Sequence, residues 1–228
     1  MPKPQRKPEE VAAVREKILA QAVTLMTAEG YHNFSMRKLA APLGIAAKTI
    51  YNYYRNKDDL YLAILTKGFE DLYNCCNRAF QSHSDPLTRM DAMLAAYLSF
   101  GMDQTNFYNL MFTWHVPKYN DYVGTAIEPT ARLELEAALK STALFIQAIK
   151  ECLDAPAKGA DDEARLIMIY LWTQLHGFIA GYNNTLLDYM HADPKALKAV
   201  LFDRIKRSLR SELNHYRQHY LKLIGRKS

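Results

Sequence analysis

Glycine, proline and cysteine are scarce in this chain of 228 residues, which contains nine, nine and three of them. With so few turn formers and 49% hydrophobic residues, the composition favours an ordered, all-helical protein over a disordered one. No run approaches the roughly 18 uninterrupted apolar residues of a membrane span, and the first residues lack the apolar core of a secretion signal. We therefore expect a cytoplasmic protein with no membrane partner.

Groups that would support catalysis or metal binding are also missing. The odd set of Cys75, Cys76 and Cys152 lacks metal-ligand spacing and fits a reducing compartment. The seven histidines are scattered along the chain, so neither a metal site nor a cofactor is predicted. No paired carboxylates, nucleophile–base set or phosphate-binding glycine loop is present. The sequence predicts no catalytic residues and no enzyme.

Positive charge is concentrated near the N-terminus, although the net charge of the whole chain is only +5. Residues 1–57 contain ten Lys or Arg against four Glu, whereas the rest of the chain contains nineteen basic and twenty acidic residues. A charge run alone usually marks a solvated surface. A basic segment that coincides with a DNA-binding motif, however, matches the phosphate backbone of a duplex.

Residues 16–60 have the pattern of three helices separated by turns. Gly30 ends the first helix, Ser35 is placed to cap the second, and Gly44 supplies a tight turn before the third. The buried stripe of the first helix is expected to consist of Val11, Val14, Ile18, Ala22 and Leu25. Helices joined in this way form a helix-turn-helix, whose second helix enters the DNA major groove. The sequence thus predicts an N-terminal DNA-binding domain over residues 1–57.

The residues that define this motif occur at regular spacings. They are Leu39, Ala40, Gly44, Ile45, Thr49, Ile50, Tyr51, Tyr53, Tyr54, Lys57 and Leu60. This pattern resembles the DNA-binding domain of TetR-family transcriptional regulators. Ala46 departs from it by replacing the usual Ser or Thr cap of the recognition helix, at a cost of roughly 1 kcal/mol. Pro42 is the second departure, because in the last turn of the second helix it would remove one N–H donor.

Candidate DNA contacts follow from exposure and from the resemblance. Base-edge contacts are expected from the polar residues of the third helix, Lys48, Thr49 and Asn52, with Ala47 touching a thymine methyl. The resemblance implies phosphate contacts by Tyr51, Tyr53 and Lys57, and Ser35, Arg37, Arg6 and Lys7 are expected to reach the backbone as well. Tyr51 is equally suited to packing between the third and fourth helices, so both roles stay open. Arg55 is expected to be solvated only.

Beyond residue 57 the sequence predicts a larger C-terminal helical bundle. Residues 58–228 are expected to form a ligand-binding and dimerisation domain, and the whole chain is expected to contain about nine helices. The predicted helices cover about 58–80, 87–102, 106–113, 129–153, 161–187 and 194–224, with a loop at 117–124. In the last helix apolar residues recur at steps of three and four, and Leu201, Ile205, Leu209, Leu213 and Tyr216 are candidates for a dimer interface. Such stripes are also typical of a subunit core.

The resemblance implies a homodimer that pairs through its last two helices. A two-fold dimer would hold two recognition helices about 34–36 Å apart on a palindromic operator. The sequence Trp172-x-x-x-His176-Gly177 resembles a signature of one TetR subgroup, which implies a regulator but no particular ligand.

Aromatic and thioether side chains of the C-terminal part are candidates for an apolar effector pocket. They are Phe100, Tyr108, Met111, Phe112, Trp114, Met168, Trp172 and His176. Residues of this kind at helical spacing are also typical of an ordinary core. His176 in particular is suited to helix packing, next to Gly177, where a close helix approach is expected.

These observations predict a DNA-binding regulator, namely a repressor that a partly apolar small molecule releases from a palindromic operator. A ligand-dependent activator or a nucleoid-type architectural protein would contain the same motif. A helical enzyme is a further alternative, for which the sequence offers no catalytic residues.

Overall fold

The computed structural model describes residues 7–113, 116–153 and 160–225, with side chains up to residue 218. Ten α-helices and no strand are present in this part of the chain. They are α1 (Pro8–Glu29), α2 (Met36–Ala40), α3 (Ala47–Tyr51), α4 (Lys57–Gln81), α5 (Pro86–Asp103), α6 (Thr105–Tyr108), α7 (Tyr119–Tyr122), α8 (Glu128–Leu153), α9 (Ala160–Asn183) and α10 (Leu197–Gly225). A π-helical turn covers Asn109–Thr113 and a 3₁₀ turn covers Leu186–Tyr189. The all-α prediction is confirmed.

Two compact units divide the chain, and each combines stretches that are separate in sequence. The first unit comprises Met1–Phe69 and Asn109–Ala137, and the second comprises Glu70–Tyr108 and Ala138–Ser228. The divisions fall within α4 and α8. The first unit therefore contains the helix-turn-helix together with α7 and the start of α8. The functional boundary between residues 57 and 58 stays a prediction.

The turns of the helix-turn-helix form as the sequence predicts. Gly30 has φ 81° and its N–H donates to the Met26 carbonyl oxygen at 2.9 Å. Gly44 has φ 64°, a left-handed conformation in which a Cβ would be strained. The Ser35 hydroxyl accepts from the Lys38 N–H at 3.3 Å and so caps α2. Pro42 lies beyond the end of α2 at Ala40, so the expected loss of a helical donor is wrong.

The buried face of α1 differs in part from the predicted stripe. Ile18 and Ala22 are buried as expected, but Val23 and Met26 are buried too. The predicted Val11, Val14 and Leu25 are only half-buried. Apolar residues occur on nearly every side of α1, so their period alone does not determine which face is covered.

Two segments differ from their predicted extent. The region expected as a loop at 117–124 contains α7, where the Asp121 carboxylate accepts from the Lys118 N–H at 2.7 Å and closes the first turn. Helix α9 ends at Asn183 and not at 187, because Thr185 adopts a left-handed conformation with φ 57°. The Asn184 side-chain amide donates to the Ala180 carbonyl oxygen at 2.9 Å, which helps to end the helix.

Helices α5, α6, α9 and α10 build the second unit together with the C-terminal parts of α4 and α8. A Cβ added to Gly101 of α5 would lie 2.6 Å from Ile179 Cδ1, so α5 and α9 cross closely there. Among the described residues of one chain, the expected close approach at Gly177 is wrong, since a Cβ at that position would meet no atom of another element within 4 Å. Arg210 of α10 holds Asp91 of α5 with two hydrogen bonds of 3.1 and 2.7 Å.

Candidate DNA interface and effector cavity

Helix α3 presents its polar residues outward. Lys48 and Asn52 are exposed, and Tyr51 is 51% exposed. Thr49 is half-buried, and Ile50 is fully buried beneath the helix. The other predicted contacts are also accessible, with Arg37 exposed and Ser35, Ala47 and Tyr53 half-buried. Exposed polar side chains on one short helix are what reading of base edges in the major groove requires.

The two ends of α3 are held differently. Ala46 supplies no side-chain cap at the start, as the sequence predicts. At the other end, the Arg15 guanidinium of α1 donates to the Tyr53 carbonyl oxygen at 3.0 Å and lies 5.3 Å from the centre of the Tyr54 ring. Arg15 therefore fixes the backbone that leaves α3. Sequence reasoning missed this residue, since nothing local distinguishes it from other basic residues of α1.

A polar cluster surrounds the start of α4. The Tyr31 hydroxyl donates to the Asp58 carboxylate, and burial together with this bond raises the pKa of Tyr31. The Lys57 ammonium donates to the Tyr31 carbonyl oxygen at 3.3 Å and lies 4.2 Å from the centre of its ring. Lys57 thus holds the turn after α1 in this conformation, and its phosphate contact stays a prediction.

Within the first unit, the segment before and within α8 is bonded to the helix-turn-helix. The Arg55 guanidinium donates to the Ala126 carbonyl oxygen at 2.7 Å, so the expectation that Arg55 is only solvated is wrong. The Thr130 hydroxyl donates to the Asp59 carboxylate at 2.9 Å. Beneath these bonds lies an apolar cluster of Leu62, Tyr122, Ile127 and Ala131. Burial raises the pKa of Tyr122 to about 12.

An apolar cavity lies in the second unit between α5, α8 and α9. About 30 Å³ of this space admits the centre of a water molecule. Its lining consists of Met90, Leu94, Tyr97, Phe145, Ile149, Met168, Leu171, Trp172 and Leu175. Concave apolar sites of this kind are where small molecules bind in helical proteins.

A row of hydrogen bonds borders the cavity. The Trp172 indole N–H donates to the Tyr97 hydroxyl at 2.9 Å, and the Tyr97 and Tyr108 hydroxyl oxygens are 3.4 Å apart. The Tyr108 hydroxyl is 2.9 Å from His176 Nδ1. The rings of Trp172 and His176 are stacked, with centroids 4.8 Å apart. Burial lowers the pKa of His176, and burial raises that of Tyr97.

The predicted ligand residues are distributed over several places. Met168 and Trp172 line the cavity, and Tyr108 and His176 belong to the hydrogen-bonded row. Phe100 is buried in the same unit but is not among the lining residues. Met111 and Phe112 belong to the first unit, where Phe112 contacts Phe69 edge-to-face at 5.6 Å between centroids. Trp114 lies outside the described residues.

Sequence reasoning missed most of the cavity wall because it considered only residues of aromatic or thioether character in selected positions. The spacing of apolar residues along α5 and α9 is the signal that would have identified more of the wall. Met90, Leu94 and Tyr97 are spaced by four and three in α5, and Leu171 and Leu175 by four in α9.

The predicted dimer residues of α10 occupy two environments. Ile205, Leu209 and Leu213 are buried within the chain. Leu201 and Tyr216 are half-buried. By contrast, the neighbouring helix α9 exposes a row of large apolar side chains, Leu166, Ile169 and Tyr170, which are 62%, 51% and 45% exposed.

Clusters of metal ligands and membrane-spanning helices are absent from the described part of the chain. No three His, Cys, Asp or Glu residues there gather in a way that could hold a metal ion. Sequence reasoning overlooked the pair His215-x-x-x-His219 in α10, and the side chain of His219 lies outside the described residues. No described helix is long and apolar enough to cross a membrane.

Comparison with known sequences supports the motif and extends beyond it. Residues 18–64 match the family described as "Bacterial regulatory proteins, tetR family". Residues 90–206, more than half of the chain, match the family described as "Tetracyclin repressor-like, C-terminal domain". Neither match distinguishes the subgroup with the Trp-x-x-x-His-Gly signature.

Two curated regulators are similar to this chain. The HTH-type transcriptional activator FasR of Mycolicibacterium smegmatis is 26% identical over 127 residues, which cover 56% of this chain and 54% of FasR. The chain thus matches about half the length of that relative. An uncharacterized HTH-type transcriptional regulator of Mycobacterium tuberculosis is 26% identical over 191 residues, covering 82% of this chain and 78% of the relative.

Solved structures share the fold at low sequence identity. The regulatory protein SCO4313 has a TM-score of 0.70 at 18% identity, covering 90% of this chain and 98% of that one. The fatty acid degradation regulator FadR of Bacillus halodurans has a TM-score of 0.62 at 15% identity, covering 90% and 96%. The matching families and the two curated relatives described above are transcription regulators, not enzymes. With both halves matched, this chain belongs to the TetR family of DNA-binding transcriptional regulators.

Proposed function

We propose that this protein binds a palindromic operator as a homodimer, represses transcription there, and is released by a small apolar effector. The observation that carries the proposal is the exposed polar surface of α3, fixed at its end by Arg15, in the part of the chain where basic residues outnumber acidic ones by ten to four. A basic, rigidly held helix of this kind supplies both the phosphate attraction and the base contacts that specific binding needs.

Within this proposal, side chains of the first unit divide into two roles. Lys48, Thr49 and Asn52 contact base edges, and Ala47 contacts a thymine methyl. Phosphate contacts are assigned to Ser35, Arg37, Tyr51, Tyr53 and Lys57. Lys57 would have to leave the Tyr31 carbonyl oxygen, or share its ammonium between the two partners, to make such a contact.

The dimer surface is proposed to combine α9 with α10. Ile205, Leu209 and Leu213 are buried within one chain and therefore support α10 from inside. The exposed row Leu166, Ile169 and Tyr170 supplies apolar surface for a second copy, with Leu201 and Tyr216 of α10 at its side.

The dimer can be tested by sedimentation equilibrium. An Ile169→Asp variant should weaken self-association at least tenfold, because it places a charge in an apolar contact. Leu139→Asp is the matched control, since Leu139 is 54% exposed on α8. Equal association of both variants and the unmodified protein would contradict the proposed surface.

Operator binding is tested by selecting and sequencing genomic fragments bound at about 150 mM salt, where non-specific binding is weak. We expect a palindrome. The Lys48→Ala/Asn52→Ala variant should lose at least about 100-fold in affinity for it, because each base contact contributes roughly 1–3 kcal/mol. Lys195→Ala/Asn214→Ala, which removes an exposed lysine and an exposed asparagine of the second unit, should leave the affinity unchanged. Recovery of no enriched site would contradict specific regulation by the ligand-free protein.

Activation is the second candidate, because the relative FasR is named a transcriptional activator. A reporter fused to the recovered operator distinguishes the two. Deletion of this protein raises transcription if it represses, and lowers it if it activates.

A further inference from the structure

The cavity of the second unit has a wall without usable polar groups. Seven of its nine lining residues are aliphatic side chains, methionines or phenylalanine. The other two are Tyr97 and Trp172, and their polar atoms are bonded to each other at 2.9 Å. A ligand head group placed here would find no hydrogen-bond partner unless it broke an existing bond.

Among the described residues, the wall also lacks a charge of either sign. His176, stacked on the lining residue Trp172, is an ionisable base close to the cavity. Its Nδ1 is engaged with the Tyr108 hydroxyl at 2.9 Å, and burial lowers its pKa, which disfavours the cation that an anionic ligand would need. A charged ligand group would therefore enter without a counter-ion, at a cost of several kcal/mol.

Two arginines of this unit have partners away from the cavity. Arg89 is paired with Glu151, and Arg210 is bonded to Asp91 through both carboxylate oxygens. None of these four residues lines the cavity. Recruiting either arginine to a ligand would leave a carboxylate without its partner, which adds to the cost of binding an anion.

The cavity is narrow as it stands. About 30 Å³ of it admits the centre of a water molecule, against roughly 150 Å³ for a dry apolar cavity that holds benzene, so a ligand must displace flexible wall side chains such as Met168. We propose that this cavity binds a neutral, predominantly apolar molecule and discriminates against carboxylates and amines with the same tail. The assignment of this molecule as the effector rests on the proposed function above.

Three probes with one tail test the ligand class, namely octan-1-ol, octanoate and octylammonium. The readout is fluorescence of Trp172 in a Trp114→Phe background at pH 7.5, since the chain contains two tryptophans. Octan-1-ol should bind saturably, with a Kd at least tenfold lower than either charged probe. Equal or tighter binding of octanoate or octylammonium, or no saturable binding of octan-1-ol, would overturn the proposal.

A matched pair of variants locates the binding. Met168 lines the cavity and Met102 does not, and both side chains are half-buried in the second unit. Met168→Phe should raise the Kd for octan-1-ol at least fivefold, because the larger ring occupies part of the space, whereas Met102→Phe should leave it unchanged. Thermal unfolding of both variants identifies a loss of folding. If Met168→Phe unfolds, the same comparison is made with Leu175→Met. This variant changes the shape of the cavity wall at similar volume.

Operator affinity separates this inference from the proposed function. It is measured with ligand-free protein and again with octan-1-ol at saturation. If octan-1-ol binds with the expected preference but operator affinity stays the same, the release mechanism fails while the ligand class stands. If octanoate is preferred and releases the operator, the ligand class fails while the release mechanism stands.

Discussion

The two compact units of this protein differ in what their contacts hold in place, although both contain side chains that donate to distant backbone carbonyls, as Asn183 does to Gly101 and Arg217 to Cys152 in the second unit. In the first unit, short helices are joined by side chains that bond to backbone carbonyls across long sequence separations, as Arg15 does to Tyr53 and Arg55 to Ala126. In the second unit, long helices pack over an apolar core in which a cavity remains. The first arrangement fixes a surface in one geometry, as DNA reading requires. The second leaves a narrow apolar cavity, which is where we propose that a ligand binds.

If the two units unfold separately, truncating one buried leucine in each unit should affect operator binding and ligand binding differently. Leu39 in the first unit and Leu209 in the second are both 0% exposed, so each Leu→Ala change should cost about 2–5 kcal/mol. We expect Leu39→Ala to abolish operator binding while octan-1-ol binding survives. Leu209→Ala should lose octan-1-ol binding, and it should also weaken operator binding, because the proposed homodimer pairs through α9 and α10. Operator binding is measured by titration and octan-1-ol binding by Trp172 fluorescence, both at 25 °C.

The comparison between the units would be broken by equal losses. If Leu39→Ala lost octan-1-ol binding as well as operator binding, the chain would unfold as one cooperative body, and the division by contacts would have no counterpart in stability.

A second pair of variants probes packing inside the second unit. Gly101→Ala should destabilise it by about 1–3 kcal/mol, because the new Cβ would lie 2.6 Å from Ile179 Cδ1 and 2.8 Å from its Cγ2. Gly177→Ala should instead stabilise α9 by about 0.5–1 kcal/mol, since nothing lies within 4 Å of its Cβ and alanine favours the helix. Urea unfolding compares the two. A destabilised Gly177→Ala would show that a second copy of the chain packs there.

The same contrast explains what the sequence could predict. The helix-turn-helix was found because its signals are local, with Ser35, Gly44 and Ile50 separated by few residues and each tied to one turn or one buried face. The cavity was found only in part, since its wall depends on how α5, α8 and α9 are rotated against one another. Met168 and Trp172 were predicted, but Ile149 has no signal that separates it from any core residue. The Arg15–Tyr53 bond spans 38 positions and has no local signature either.

Arg15 offers a way to test whether geometry in the first unit matters apart from charge. Arg15→Gln should reduce operator affinity about tenfold, because it removes a charge-assisted hydrogen bond that fixes the end of α3. The dependence of affinity on salt should stay the same, since Arg15 acts on α3 and not on phosphate. Arg37→Gln is the control, in which loss of one phosphate contact should lower the salt slope by about one. If Arg15→Gln lowered the slope equally, Arg15 would be a phosphate contact instead.

The smallest expected effect concerns His176 and the pH dependence of the second unit. Burial lowers the pKa of His176 below its ordinary value, so the unfolded chain binds this proton more readily than the folded chain does. Protonation of His176 therefore has no effect on the free energy of unfolding well above pH 6.5. As the pH falls from that value towards the lower pKa of the folded state, the free energy of unfolding decreases. Between pH 7.5 and 5, urea unfolding should show a steeper loss for the unmodified protein than for His176→Gln, in which residue 176 does not titrate. Parallel pH profiles would mean that His176 is protonated as readily in the folded chain as in the unfolded one. The absence of a nearby cation, which the proposed ligand selectivity assumes, would then no longer hold.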